Sequence, residues 1–285
     1  MPALPPDLIE RARAFASGQA EGLGDVAAPR DAATVVLLRD RPGGPEVYLL
    51  RRAPSMAFAA GMHVFPGGSV DPRDANHATG WAGPSPADWS DRLDCGEGLA
   101  RALVCAAVRE TFEESGILLA GPSPDEVIGD TTGAGWEIDR LALIERTLSL
   151  AQMLSRRDLV LRSDLLRVWG HWITPEFEPR RFDTRFFVAA VPDGQRTRDV
   201  GGEADQVVWM PLAAAVARYQ SGELPMLPPT AVTLRELSSY EALDAVLATT
   251  RDIAPLMPRA VIDGDQVRLV LDGPDGERPA DEAMR

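Results

Sequence analysis

Residues 99–115 carry the most regular helical pattern of the chain, and Gly116 directly after them suits the left-handed conformation in which many helices end. At about 100° per residue, Glu110, Glu113 and Glu114 fall within one arc of about 100° on this helix. Carboxylates at i, i+3 and i+4 spacing repel one another, so this acidic face favours a compensating cation. Because hard oxygen ligands suit Mg²⁺ or Mn²⁺, a metal site is one interpretation of the helix.

A solvated acidic face is the competing interpretation. Arg109 and Glu113 form an ordinary i, i+4 pair of modest energetic value, and short acidic motifs recur in unrelated helices. On the acidic side, Ala106 and Ala107 leave space beside the carboxylates for an ion and a phosphate. The sequence around the helix has to decide between the two interpretations.

The composition of the 285-residue chain excludes several functional classes. It has 43 acidic and 29 basic residues, a formal net charge of −14, which argues against binding to nucleic acid or to a membrane surface. The chain contains no Lys, so Walker-loop phosphate binding and Schiff-base chemistry, which both need that residue, are excluded. His63, His77 and His171 are too dispersed for a zinc motif.

Several features predict a cytoplasmic protein. Cys95 and Cys105 are too few for a disulfide framework, which indicates a reducing compartment, and Cys105 reads as a small apolar core residue. No run approaches the ~18 continuous apolar residues of a membrane span. Asp7 and Glu10 stand where a signal peptide would be basic and then apolar. The oligomeric state stays open.

Alternation and turn residues predict a mixed arrangement of strands and helices. Predicted strands occupy residues 34–39, 46–51, 63–65, 169–174, 185–191 and 207–210, with a hairpin over 261–271 turning at Asp263-Gly264. Predicted helices occupy residues 7–15, 137–154, 211–219 and 230–248, with a short one near Leu159. We expect a peripheral N-terminal extension over 1–30, a main domain over 31–257, and a C-terminal hairpin with a loose tail over 258–285.

Around the acidic helix the chain resembles the Nudix hydrolase superfamily, whose signature runs from a Gly to R-E-U-x-E-E-x-G-U, with U an apolar residue. Residues 109–117 read R-E-T-F-E-E-S-G-I and match this end of the signature, with Thr111 a poor fit to the first U. The turn at residues 66–68 reads P-G-G and supplies the opening glycine as Gly68.

Two departures from the signature stand out. Gly68 precedes Arg109 by 41 positions, whereas the family has fourteen, so an insertion of 27 residues, expected as an irregular surface segment over about 69–97, splits the motif. Arg101 stands where the family has a Glu eight positions before the Arg, and Glu97 is the candidate substitute.

The split motif narrows the resemblance to the acyl-coenzyme A diphosphatase branch, of the nucleoside diphosphate-linked moiety X motif 19 type. Further similar stretches at 47–68, 172–187 and 227–230 extend it over residues 30 to about 250. The resemblance implies an α/β/α sandwich, a mixed sheet between helices, with insertions at about 69–97 and 122–168 and a helical C-terminal extension. It also implies metal-dependent cleavage of coenzyme A or acyl-coenzyme A to 3′,5′-ADP and (acyl-)4′-phosphopantetheine.

Carried onto this sequence, the resemblance assigns catalytic roles to four carboxylates. Glu110 and Glu114 are expected to bind Mg²⁺ or Mn²⁺ directly, and Glu113 is a further ligand or an outer partner. Glu110 or Glu203 is the candidate general base. Arg109 is expected to orient the cluster by ion pairing rather than touch substrate.

The groups that would bind substrate are less sharply defined by the sequence. Forked Arg donors suit phosphates, and the glycine turn suits close approach of a ligand. The candidates are Arg51, Arg52, Phe65, Gly67, Gly68 and Arg181, with Arg180 and Arg185 also able to reach phosphates. We expect His63 and His171 to be structural.

Two other functions remain open from the sequence. The chain fits a Nudix diphosphatase for another small nucleoside-diphosphate-linked substrate, such as ADP-ribose, a dinucleotide or a nucleoside triphosphate. It also fits a non-catalytic Nudix-like ligand-binding or regulatory module, because Arg101 replaces a motif Glu, although the three helix carboxylates favour an enzyme.

Overall fold

The computed structural model describes residues 6–17, 26–54, 56, 59–198, 204–263, 266–273 and 276–279. The helices, in chain order, are α1 Pro6–Ala16, α2 Pro86–Leu93, α3 Glu97–Ser115, α4 Ala134–Ile144, α5 Leu150–Arg156, α6 Leu212–Gln220, α7 Pro228–Leu237 and α8 Leu243–Ala248. The strands are β1 Arg30–Arg39, β2 Glu46–Arg52, β3 His63–Val64, β4 Gly67–Ser69, β5 Trp81–Ala82, β6 Ala120–Gly121, β7 Val160–Arg162, β8 Arg167–Ile173, β9 Phe182–Ala190, β10 Ala204–Pro211, β11 Pro255–Leu256, β12 Arg259–Asp263, β13 Gln266–Gly273 and β14 Gly276–Pro279. Within these ranges, none of the helices has both the length and the apolar character needed to cross a membrane.

The central sheet is mixed and runs in the order β10-β2-β1-β9-β8-β11. Successive side chains of a strand point to opposite faces, so Val35 and Leu37 of β1 pack in one core with α3, while Val36 and Leu38 pack in a second core with α6 and α7. Helices therefore cover both faces of the sheet. The predicted α/β/α sandwich is confirmed.

The sheet opens at one end of β1. Near their hairpin β1 and β2 pair with each other, Leu38 opposite Val47. Further along, β1 pairs with β4, Thr34 opposite Gly67, and β2 pairs with β3, Leu50 opposite Val64. This exchange of partners separates β1 from β2 and leaves room for a cavity between their ends.

The inserted segments are more regular than the sequence predicted. The stretch over 69–97 contains a 3-10 turn, β5 and α2, and Trp89 and Leu93 of α2 are fully buried. A capping box at Ser85, with Pro86 at the first helical position, begins α2. The prediction of an irregular surface insertion here is wrong, because local capping and apolar burial fold it onto the core.

The prediction of one helix over 137–154 is also wrong. Arg146 has a positive φ of 59°, which breaks the chain between α4 and α5, and a capping box at Ser149 begins α5. The segment near Leu159 leads into strand β7, which pairs with β5 and β6, rather than into a short helix.

Helix α1 and the hairpin of β12 and β13 pack against each other, and residues of both belong to a core of the sandwich. The predicted N-terminal helix is confirmed, but Ala12 in α1 is fully buried, so this segment is not peripheral. The predicted hairpin is confirmed as β12 and β13, with Asp263 opposite Gln266, while Gly264 lies outside the described residues. In the predicted loose tail, β14 pairs with β13 and forms a third strand.

Candidate active site

Helix α3 places its acidic residues at the opened end of the sheet. The helix ends at Ser115, and Gly116 follows with a φ of 76° and donates its N–H to the carbonyl of Phe112, as the sequence predicted. Phe112 and Cys105 are buried in the core beneath it. The other side of the helix brings Glu110, Glu113 and Glu114 to a single cavity of about 710 Å³.

The cavity has walls of contrasting chemistry. The guanidinium-bearing residues that line it are Arg52, Arg73, Arg109, Arg140, Arg146 and Arg180. Its apolar lining includes Leu50, Val64, Phe65, Trp172, Phe182, Phe186 and Leu227. Phe65 and Phe186 pack edge to face with ring centroids 6.4 Å apart. A ligand in this cavity would meet charge on one side and apolar surface on the other.

Two glycines let β4 lie directly against the carboxylates. The Gly67 N–H donates a hydrogen bond of 2.8 Å to Oε2 of Glu114. A Cβ atom on Gly68 would lie 2.5 Å from Oε1 of Glu110, and one on Gly67 would lie 2.6 Å from the carbonyl oxygen of Ala33. The P-G-G turn therefore fits only because these residues lack side chains.

Arg109 ties the acidic helix to the preceding segment. Its Nη1 lies 2.7 Å from Oε1 of Glu110 and 3.2 Å from Oε1 of Glu113. Its Nε and Nη2 donate to the two carboxylate oxygens of Asp74 at 3.0 and 2.9 Å, and Nη2 also donates to the carbonyl of Ser69. The guanidinium thus joins three buried or nearly buried carboxylates.

Asp74 is the residue that sequence reasoning missed. It follows Gly68 by six positions, which is the interval between the Gly and the Glu of the family signature, so the insertion begins after Asp74 rather than after Gly68. Counting forward from the glycine instead of backward from Arg109 would have found it. A carboxylate thus occupies the expected place, with Asp instead of Glu.

Neither Arg101 nor Glu97 fills that place. The Arg101 guanidinium lies over the Trp81 ring, 5.0 Å from its centroid. Glu97 is exposed at the first residue of α3, roughly 20 Å from Glu110 at a rise of about 1.5 Å per residue. The prediction that Glu97 substitutes for the motif Glu is wrong because the helix axis carries it away from the cluster.

Burial alters the acidity of the cluster. Desolvation raises the pKa of Glu110 to about 7, against the lowering effect of the Arg109 charge, and the neighbouring Glu113 raises it further. Desolvation also raises the pKa of Glu113, again opposed by Arg109. Three acidic groups around one guanidinium therefore hold more negative charge than this buried site readily accommodates.

Of the five arginines predicted to reach phosphates, Arg51, Arg181 and Arg185 do not line the cavity. Arg51 forms a paired ion contact with Asp205, its Nε and Nη2 each 2.7 Å from a carboxylate oxygen. Arg181 is buried and donates to the carbonyls of Thr174 and Ala27. The assignments of Arg51 and Arg181 are corrected. Arg51 and Arg52 are adjacent in β2 and point to opposite faces, and Arg52 lines the cavity. In the segment before β9, Arg180 lines the cavity while Arg181 is buried.

The remaining candidates have structural surroundings. Arg185 is buried, pairs with Asp183 and has Nη1 2.7 Å from Nε2 of His171, and it does not line the cavity. His63 is buried with Nδ1 3.4 Å from the carbonyl of Pro225, and desolvation lowers its pKa. Glu203 lies outside the described residues.

A family model described as the NUDT19 Nudix domain matches residues 89–237. The chain belongs to the Nudix hydrolase family. Its activity class is that of the Nudix pyrophosphohydrolases. The crystal structure of a Nudix hydrolase from Alicyclobacillus acidocaldarius is 31% identical, with a TM-score of 0.65, and the alignment covers 79% of this chain and 98% of that one.

The curated relatives include proteins named acyl-coenzyme A diphosphatase NUDT19 from three vertebrates. Acyl-coenzyme A diphosphatase NUDT19 of Gallus gallus is 27% identical, over 75% of this chain and 69% of the relative. The protein of that name from Homo sapiens is 26% identical, over 70% of this chain and 62% of the relative. The chain thus spans less than two thirds of the human relative's length.

Nudix hydrolases generally use divalent metal ions, and the donor types of this site fit such an ion. Three carboxylates from one turn of α3 line the same cavity. In the described part of the chain, however, no three His, Cys, Asp or Glu side chains converge closely enough to hold an ion as they stand. Arg109 occupies oxygens of Glu110 and Glu113, so metal binding in this Nudix site would require those side chains to exchange the guanidinium for the ion.

Proposed function

We propose that this chain hydrolyses the diphosphate linkage of coenzyme A or of its acyl thioesters, in a reaction that depends on Mg²⁺ or Mn²⁺. The products are 3′,5′-ADP and 4′-phosphopantetheine, or its acyl form. The observation that carries the proposal is the cavity in which Glu110, Glu113 and Glu114 share a lining with arginines and a broad apolar wall. The relatives named as acyl-coenzyme A diphosphatases support the same substrate class.

The two chemistries of the lining match the two parts of this substrate. The diphosphate and the 3′-phosphate carry several negative charges, to which Arg52 and Arg180, as residues of the cavity lining, would donate hydrogen bonds. The pantetheine arm is long and only weakly polar, and the residues around Phe65 and Phe186 offer it an apolar surface. A chain with a net charge of −14 has to gather positive charge locally to bind such an anion.

In the proposed reaction, the oxygen of a water molecule attacks one phosphorus, the bridging P–O bond breaks, and the water gives up a proton. A bound Mg²⁺ or Mn²⁺ would neutralise charge on the diphosphate and help to activate the water. Glu110, Glu113 and Glu114 would hold the ion. Glu110 or Glu203 would take the proton.

Arg109 and the glycine turn position these groups. Arg109 donates to Glu110 and Glu113 and, through Asp74, anchors α3 to the segment after β4. The Gly67 N–H fixes one oxygen of Glu114. Metal binding would draw Glu110 and Glu113 away from Arg109, so the contacts that would persist are those of Arg109 with Asp74 and of Gly67 with Glu114. These two contacts hold α3 against β4 and the segment after it, which positions the carboxylates for phosphoryl chemistry.

The proposal is tested by turnover of a substrate panel. Purified protein is incubated with coenzyme A, octanoyl-coenzyme A, ADP-ribose, a diadenosine polyphosphate and ATP, each with Mg²⁺ or Mn²⁺ and each with EDTA. Products are identified by mass. We expect selective, metal-dependent release of 3′,5′-ADP from the coenzyme A substrates.

The other outcomes each contradict a stated part of the proposal. A preference for ADP-ribose, the dinucleotide or ATP would contradict the proposed substrate but support the proposed class of reaction. Turnover that persists in EDTA would contradict the metal requirement. If no substrate is turned over while some of them bind, the chain is a ligand-binding module and the enzymatic proposal fails.

A further inference from the structure

The cavity extends from the carboxylates to a region built by both ends of the chain. Leu8 of α1 and Leu269 of β13 line it, as does Pro258, together with Trp172 and Phe182 of the central sheet. We call these five residues the apolar lobe. Leu8, Pro258 and Leu269 lie outside residues 89–237, so this part of the lining comes from segments beyond the matched Nudix domain.

The terminal segments are fixed in place rather than lying loosely on the surface. Arg11 of α1 contacts Glu178 with Nη2 3.0 Å from Oε1, and Ala12 is fully buried. Leu269 is 7% exposed and belongs to the same apolar core as Trp172. Helix α1 also packs on the hairpin of β12 and β13. The lobe is therefore a formed wall of the cavity.

The acidic residue Glu178, which lies away from α3 in the cavity lining, is already paired. Glu178 lines the cavity but is only 7% exposed, and its carboxylate pairs with Arg11. Burial raises the pKa of Glu178, which further weakens its negative character. The five residues of the lobe thus offer an occupant apolar contacts, whereas the carboxylates of α3 and the arginines that line the same cavity offer charge.

We propose that the apolar lobe binds the acyl chain of an acyl-coenzyme A, and that Leu8 and Leu269 set the preference for acylated over free coenzyme A. This inference rests on the proposed function. A single ligand that fills both ends must carry phosphates at one end and an apolar group at the other. Since transfer of apolar groups out of water drives binding, each added methylene that reaches the lobe increases the reaction's specificity constant.

The experiment compares kcat/KM for octanoyl-coenzyme A and coenzyme A in Mg²⁺. We expect the octanoyl substrate to be preferred by about tenfold or more, because even one methylene in a fitted pocket can give such a ratio. Leu8→Gln and Leu269→Gln should each reduce the preference about fivefold, because a polar amide disfavours the apolar chain. Leu8→Met should retain it, since Met keeps the apolar volume.

The matched control is Ile138→Gln on α4. Ile138 is 68% exposed and does not line the cavity, so this change makes the same kind of substitution away from the lobe. It should leave both rates unchanged. Circular dichroism and thermal unfolding of every variant show whether a change in kcat/KM comes from loss of the fold. Leu8→Met tests position 8 with a substitution that disturbs packing little.

Failure of this inference differs from failure of the proposed function. Turnover of both substrates with equal kcat/KM, or a ratio unaffected in both folded lobe variants, overturns the lobe but leaves the diphosphatase proposal intact. If neither substrate is turned over, the diphosphatase proposal fails. The lobe is then tested by calorimetric titration of the protein with octanoyl-coenzyme A and with coenzyme A, both in EDTA. Tighter binding of octanoyl-coenzyme A than of coenzyme A, lost in Leu8→Gln, would support the lobe, and equal or absent binding would overturn it.

Discussion

The Nη2 atom of Arg109 lies 2.9 Å from Oδ2 of Asp74, 35 residues earlier in the chain. Both side chains are largely buried, and Asp74 has only 2% of its side chain exposed. The same guanidinium reaches Glu110 and Glu113. One buried ion pair therefore connects the segment after β4 to the acidic face of α3.

Removal of Asp74 should strongly destabilise the protein. Asp74→Ala leaves the buried Nε of Arg109 without its acceptor, while Glu110 and Glu113 still balance the charge. Hydrogen bonds to charged groups are worth about 1.5–3 kcal/mol, so we expect a loss of that size. Urea unfolding measures the loss. The control is Glu223→Ala, whose exposed contact with Arg218 at 3.3 Å should be worth no more than about 1 kcal/mol. Equal effects of the two substitutions would contradict the importance of Asp74.

The carboxylate of Glu114 should be needed for turnover but not for folding. Glu114→Gln keeps the size of the side chain and removes the charge proposed to hold the metal. We expect kcat to fall by about a thousandfold, which corresponds to about 4 kcal/mol of transition-state stabilisation. Glu97→Gln makes the same change at the exposed start of α3 and should leave kcat unaffected. Activity near the normal level in Glu114→Gln would refute the metal assignment.

A side chain at Gly68 should displace the carboxylate of Glu110. Because the new Cβ would lie 2.5 Å from Oε1, Gly68→Ala forces that carboxylate or β4 to move. A displacement of about 1 Å in a catalytic site can cost about a hundredfold in rate, and we expect a loss of that order. Gly43→Ala is the control, since its Cβ would meet nothing within 4 Å. Comparable kinetics for the two variants would show that the close contact is unimportant.

The neighbouring arginines at 180 and 181 should behave differently. Arg180→Ala removes an exposed donor from the cavity lining and should raise KM for coenzyme A with little change in stability. Arg181→Ala removes a buried donor from the carbonyls of Thr174 and Ala27 and should destabilise the fold by about 1–3 kcal/mol. Steady-state kinetics and urea unfolding of both variants measure the two effects. The opposite pattern would contradict the assignment of Arg180 to the cavity.

Cys105 should be inert in the native protein. Desolvation raises the pKa of its thiol to about 12, so the reactive thiolate is absent at pH 8. In the Cys95→Ala variant, a thiol reagent should react fast only after denaturation. Rapid labelling of that folded variant would contradict the burial of Cys105.

The raised pKa of Cys105 also makes the free energy of unfolding decrease at alkaline pH. Below pH of about 8.5 the thiol is protonated in both states, so it adds no pH dependence. Between there and about pH 12 the unfolded chain loses a proton that the folded chain keeps, so the free energy of unfolding should fall by about 1.4 kcal/mol per pH unit. Urea unfolding of wild type and Cys105→Ala at pH 8 and 10 isolates this contribution.

Local patterns predicted the acidic helix well because they depend on nearby residues. The 3.6-residue period put the three carboxylates of α3 on one face, and Gly116 ended the helix as expected. Thr111, a poor match to the family signature, is fully buried and donates its hydroxyl to the carbonyl of Ala107. That bond within the helix allows a polar residue in an apolar position.

The side of the sheet to which each strand residue points was harder to predict than the presence of the strands. The sequence predicted strands over 46–51 and 185–191, but a strand alone does not show which of its faces meets a cavity. Strand pairing decided that Arg52 lines the cavity while Arg51 pairs with Asp205. The same reasoning applies to Arg180 and Arg181, which adjoin β9.

The sequence by itself determined the helix, its three carboxylates, the glycine turn and the family, since each of these depends on residue types at short or fixed spacings. Only the tertiary structure brought Asp74 to Arg109 and placed Leu8 and Leu269 on the cavity. Such contacts join residues far apart in the chain, and packing of the whole core selects them. No local preference of a residue for helix or strand contains that information.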